Sequence, residues 1–233
     1  MSTSLIQQAQ IVKEKLIEFG KTTFQKEYSK GLEMLQASMG SQLSEEAIFA
    51  YTDWFVLESL LKNNRRVLSF FIEQCKNDAD ILIAKQWYHV IYGIFHVKEV
   101  LDRNRFEVLN LVNNVIYRVT TTVKTPLPLK KGEYMMAKII PLENFHLFTG
   151  LIEKLATKKK EEIYQIVLEI QLNNPKMAFI DNLQRLEQAY KIQEDEYDDF
   201  VTFFGSDEIV LSGQEVAEKP KGLPAHHPDA EIF

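Results

Sequence analysis

The sequence predicts an α+β protein in which helical N-terminal and C-terminal segments surround a small, mostly antiparallel five-stranded barrel of the OB or SH3 type. Three observations carry this. Apolar residues recur every three or four positions before residue 92 and again after 157, the period of a helix that buries one stripe. Between Gly93 and Ile152 the period drops to two and β-branched residues accumulate, as in half-buried strands. The strands in that stretch are short and separated by tight turns, which favours a partly open barrel. The segments are therefore 1–92 (helical), 93–152 (barrel), 153–212 (helical) and 213–233 (extended tail). Periodicity does not choose between barrel topologies.

The first stripe is Leu5, Ala9, Val12, Leu16 and Phe19 in "SLIQQAQIVKEKLIEF". Thr3 or Ser4 fits its N-cap and Gly20 its end. A second helix follows with Phe24, Tyr28, Leu32, Leu35 and Met39; Gly31 weakens it and Gly40 stops it. Ser44 is a natural cap for "EEAIFAYTDWFVLESLL", where Glu45 and Glu46 suit the positive end of the helix dipole. Its aromatic residues predict burial on more than one side, and Asp53 and Glu58 are read as pairing with Arg65 or Arg66. Asn63-Asn64 breaks the helix. Two more helices follow, "RRVLSFFIEQC" and "DADILIAKQWYHVIYG", with Asp78 capping the second.

In the barrel segment, "GIFHVKEVL" alternates with Phe95, Val97 and Leu101 on one face. "DRNR" supplies a turn, and "FEVLNLV" sets Phe106, Val108 and Val112 together. Asn113-Asn114 marks a hairpin, because asparagine tolerates positive φ. "VIYRVTTTV", "EYMMAKIIPL" and "FHLFTGLI" are further strands. "KTPLPLKKG" holds two prolines, which excludes a central strand and predicts a loop across one end of the barrel. Helices resume with "TKKKEEIYQIVLEIQLNN", capped at Thr157. Pro175 opens the next helix at a favoured position. "DEYDDFVTFFG" reads as a separate short helix, its acids in the first turn, and "DEIVL" fits a final strand.

Composition limits function. The chain has 233 residues and a net charge of −6, so the molecule as a whole is not drawn to nucleic acid or to an anionic membrane. The single cysteine, Cys75, excludes an intrachain disulfide framework and any multi-cysteine zinc site. With no secretory signal in "MSTSLIQQAQIVKEKL", this points to the cytoplasm. No apolar run approaches the ~20 residues of a membrane helix. No phosphate-cradling glycine loop, H-E-x-x-H or G-x-S-x-G motif occurs. "HHPDAE" at 226–231 groups two imidazoles with two carboxylates, but in a proline-broken tail without the rigidity a metal site needs. "EDEYDDF" lacks the alternation and glycine of a calcium loop. No catalytic residue, metal ligand or cofactor is assigned, and the reading leans away from an enzyme.

The barrel carries the informative asymmetry. Residues 93–150 hold eight basic groups against five acids, while the whole chain is acidic. Lys98, Arg103, Arg105, Arg118 and Lys138 are the candidate nucleic-acid-binding residues, with Lys98, Arg118 and Lys138 expected on the outward face beside His96. Small barrels bind oligonucleotides on such a face through phosphate contacts and stacking. The first expectation is nonetheless a non-catalytic binding or adaptor protein acting through the barrel and its adjacent helices, on an unknown protein partner or a second copy of itself. Nucleic acid is the alternative.

Residues from about 46 to 150 also resemble a group of uncharacterised bacterial proteins. The likeness lies in the aromatic-rich helix "AIFAYTDWFVLESLLKNNRRVLSFFIEQ", the tryptophan-ended helix in "AKQWYHVIYGIFHV" and the barrel-closing "PLKKGEYMMAKIIPL". Some members end in a cysteine-rich SEC-C zinc motif. This chain has no cysteine beyond Gly213, so no zinc ligand carries over. The resemblance implies a helix–barrel–helix layout and no activity.

Overall fold

The structure is a computed structural model, and it describes all residues except 1–2, 63, 122–127, 156–157, 180–182 and 205–233. It divides into two compact units, Met1–Leu168 and a second from Glu169 onward. In the first, α1 (Thr3–Thr23), α2 (Gln25–Met39), α3 (Glu45–Leu57), α4 (Val67–Gln74) and α5 (Asp78–Gln86) precede β1 (Ile91–Val100), β2 (Arg105–Asn110), β3 (Val115–Thr120), β4 (Tyr134–Leu142) and β5 (Phe145–Lys154). The chain leaves this unit through α6 (Lys160–Asn173); the second holds α7 (Pro175–Phe179) and α8 (Leu183–Phe204). No described helix is long and apolar enough to cross a membrane.

The strands close into a barrel in the order β1-β2-β3-β5-β4, with β4 returning to β1. Every pairing is antiparallel except β3 with β5, which aligns Val119 with His146 and Thr120 with Leu147. This is the Greek-key order of an OB-type barrel. The β2–β3 turn is local: Asn114 takes φ 59°, and Asn113 Oδ1 accepts from the Val115 N–H at 3.1 Å. Leu129 packs into the barrel core, so the described end of the "KTPLPLKKG" segment meets the barrel, and its residues 124–127 lie outside the described residues.

Two cores share the β4–β5 hairpin, because alternate strand residues face opposite ways. Phe95, Val97, Phe106, Val108, Val119, Met135, Ala137 and Ile139 fill the barrel. Ile140, Leu142, Phe145 and Leu147 point outward and join a second core with Val12, Leu16, Phe55, Val56, Leu57, Leu68 and Trp87 from the helices. The helical layer thus covers one side of the barrel.

Several boundaries differ from the sequence reading. Gly20 does not end α1. A Cβ there would lie 2.8 Å from Val56 Cγ1, so the glycine permits a close approach to α3 while the helix runs on. Asn77, not Asp78, caps α5, its Oδ1 accepting from the Asp80 N–H at 3.0 Å. Leu101 lies beyond β1 and is exposed, because the bulge between Val97 and Glu99 breaks the alternation. The acids of "EDEYDDF" fall in the interior of α8, which continues to Phe204 as one helix. Ser44 caps α3 from its side chain and Gly40 ends α2 in the left-handed conformation, as read. Thr157, "DEIVL", the tail and "HHPDAE" lie outside the described residues.

Candidate binding surface

A cleft lies at the β2–β3 part of the barrel and reaches Phe145, a residue shared with the helical core. It is lined by Leu101, Arg105, Phe106, Arg118, Val119, Thr120 and Phe145 and holds about 230 Å³. It lies over β2, β3 and the β1–β2 loop, which is where OB-type barrels receive oligonucleotides and oligosaccharides. Of its apolar lining Leu101 is exposed, while Phe106 and Val119 belong to the barrel core and Phe145 to the helical core. Its rim carries two guanidinium groups, set diagonally because Arg105 pairs with Thr120 and Arg118 with Glu107 across the strands.

The β1–β2 loop is built by Asp102. Its Oδ1 accepts from the backbone N–H groups of Asn104 and Arg105, each at 2.9 Å, and its Oδ2 takes the Arg105 Nε–H. The Asn104 N–H, followed by the Arg105 guanidinium, holds the Asp102 carboxyl below its ordinary pKa. The Asn104 carbonyl in turn accepts from Thr121 N–H at 2.8 Å and Thr120 Oγ1 at 3.0 Å, which fixes the loop to the end of β3. Arg118 is 73% exposed and sits 3.5 Å from Glu107. Each arginine has an acidic neighbour, yet a guanidinium has five N–H donors and keeps donors for a ligand.

The five basic residues singled out in the sequence do not form one face. Arg105 and Arg118 meet at the cleft, and Arg103 is exposed in the adjoining loop. Lys98 is exposed on β1 at the bulge. His96 shares the outward face of β1 as read, but stacks on Tyr134 with ring centroids 4.6 Å apart. Lys138 is outward on β4, and there the helical layer meets it: its Nζ donates to Glu58 Oε1 at 2.5 Å. Asp53 and Glu58 therefore do not pair with Arg65 or Arg66. Arg65 engages Glu73 and Arg66 donates to the Tyr88 carbonyl.

Sequence reasoning missed a buried polar cluster that ties the helices to the barrel. Lys13 from α1 donates to Asp53 Oδ1 at 2.5 Å and Thr149 Oγ1 at 2.9 Å, and Thr149 donates to Asp53 Oδ1 at 2.6 Å. The side chains of Lys13 and Asp53 are 17% and 4% exposed. Burial pushes the Lys13 ammonium below its ordinary pKa, with Asp53 acting against that shift. Asp53 Oδ2 is buried with no hydrogen-bond partner. No local signal marks these residues: Asp53 is 40 positions from Lys13 and 96 from Thr149. Among the described residues no group of three or more His, Cys, Asp or Glu is placed to hold a metal.

No known protein family, curated protein or solved structure matches the chain. The fold is that of an α+β protein built on a small closed barrel against which helices pack.

Proposed function

We propose that this is a non-catalytic binding protein whose helices brace the barrel and whose open β2–β3 side receives a partner. One observation supports this above the rest. The helical core takes the outer face of the β4–β5 hairpin, Phe145 included, while Leu101, Arg105 and Arg118 stay exposed at the cleft. Apolar surface with a few placed polar groups is the usual makeup of a recognition cleft. The partner expected is an extended segment that sets an apolar group on Leu101 and an anionic group between Arg105 and Arg118, on a cytoplasmic protein or a second copy of the chain. Replacing both arginines with glutamate releases a partner that co-purifies from the native source; a partner retained by the double variant contradicts the reading.

A second reading is favoured by the position of the cleft. Single-stranded nucleic acid satisfies the same pattern, with phosphate between the arginines and a base against Leu101. Anisotropy of labelled single-stranded DNA and RNA at low and moderate salt tests it. Binding weakens steeply with salt, because phosphate contacts release counterions. Reversal of Arg105 and Arg118 abolishes it, and reversal of Lys138, held by Glu58, has a smaller effect. Affinity indifferent to the arginines overturns this reading.

A further inference from the structure

A second cleft lies away from the β2–β3 side, between α3 and the outward face of β1, β4 and β5. It holds about 160 Å³, and its lining includes Ala50, Asp53, Tyr92, Lys138, Gly150 and Glu153. We infer that this cleft is a binding site for a small amine, whose ammonium N–H groups are received by Asp53, Glu153 and the Tyr92 hydroxyl oxygen.

The space has a structural origin. The β4–β5 register shifts between Met136 and Lys138, and opposite that shift Gly150 takes φ 64°. Gly150 is required twice over: the backbone is left-handed, and a Cβ would stand 3.0 Å from Asp53 Oδ2. Ala50 on the α3 wall is also small.

The chemistry follows from which groups already have partners. Both ammonium groups near the cleft are engaged, Lys13 by Asp53 and Thr149 and Lys138 by Glu58. The acceptors are not matched in the same way. Asp53 Oδ2 is buried without a donor, although its residue is 3% exposed and lines the cleft. A buried carboxylate oxygen left without a donor is costly. The Tyr92 hydroxyl donates to Met136 Sδ at 2.6 Å, which leaves its oxygen lone pairs open to a donor. Glu153 is exposed at the mouth. The two ammonium groups are charge-paired, with Glu58 and Asp53, and Glu153 adds a further carboxylate to the lining, so the cleft favours a cation, and an ammonium group supplies three N–H bonds. An anion would meet Asp53 and Glu153, and the one described cation of the lining, Lys138, is already charge-paired with Glu58.

The test is amide NMR of the full-length protein titrated with methylammonium, with 1,4-diaminobutane, and with acetate at matched ionic strength. The expected result is saturable shifts at Ala50, Tyr92, Gly150 and Leu151 with both amines and none with acetate. Glu153→Gln weakens the diamine about tenfold, the scale of one lost charge-assisted hydrogen bond, and Ala50→Leu abolishes the shifts by filling the space. Neither variant touches the Lys13–Asp53–Thr149 cluster, so both keep the fold, which their unchanged spectra elsewhere verify. Unsaturable shifts, equal shifts with acetate, or amine binding that survives Ala50→Leu overturn the inference and leave Asp53 Oδ2 as a water site only.

Discussion

Asp53 decides how the helices and barrel hold together. Its Oδ1 takes two donors while Oδ2 takes none, so the pairing is strong on one side and strained for partners on the other. Removing the carboxylate in Asp53→Ala strands a buried ammonium at Lys13, and breaking such a pair costs ~3 kcal/mol or more. Urea denaturation should show that loss. The double variant Lys13→Met/Asp53→Leu should recover most of it, because the desolvation of both charges disappears with them. A double variant as weak as the single would mean that Asp53 acts through packing rather than charge. His146 makes a separate prediction. Burial holds its imidazole below the ordinary value of 6.5, with a hydrogen bond to the Arg118 backbone acting the other way. His96 is shifted in the same direction by burial, then by Lys98 and Lys160. Below pH 6.5 the unfolded chain takes up these protons before the folded one does, so stability falls with acidification until the folded-state values are passed. Melting temperatures should therefore drop from pH 7.5 to 5.5, and a His96→Phe/His146→Phe variant should flatten that dependence. An unchanged slope would move its origin to other groups.

At the scale of elements, the sequence was most legible where structure is local. The α1 stripe, the Ser44 cap, the Asn114 turn and the alternation through β2 and β4 depend on neighbours within a few residues, and each appears where read. Gly20 shows the opposite case. Local rules make it a helix stop, but its reason is the approach of Val56 from α3. Gly20→Ala should cost ~1–3 kcal/mol through overpacking, more than the ~1 kcal/mol alanine gains in helix propensity. Val56→Ala in the same chain should relieve part of that cost, and a Gly20→Ala protein as stable as the parent would contradict the packing account. α8 failed in reading for a related reason: its acids resemble a first turn, yet the helix passes through them. The β1–β2 loop was legible as a turn, but not as the wall of a cleft. That role depends on Asp102 bonding two backbone N–H groups and on Asn104 reaching β3.

On the scale of the whole molecule, the shared β4–β5 hairpin explains the division of labour. One strand face fills the barrel and the other enters the helical core, so the covered side is fixed by packing, and the proposed recognition falls to the β2–β3 side. The small barrel was readable from period and turn spacing. Its strand order was not, because the parallel β3–β5 pair joins segments that no local pattern links. The basic candidates scattered for the same reason: Arg105 and Arg118 are brought together by register, whereas Lys138 is claimed by Glu58 from α3. The most direct test of this division is site-directed photo-crosslinking in the native host. A benzophenone side chain replaces in turn Leu101 beside the cleft, Ile116 on β3 and Leu82 on α5, all exposed. The account predicts a discrete adduct from Leu101 and Ile116 that Arg105→Glu/Arg118→Glu removes, and none from Leu82. Adducts from Leu82 alone, or from all three positions regardless of the arginines, would contradict it.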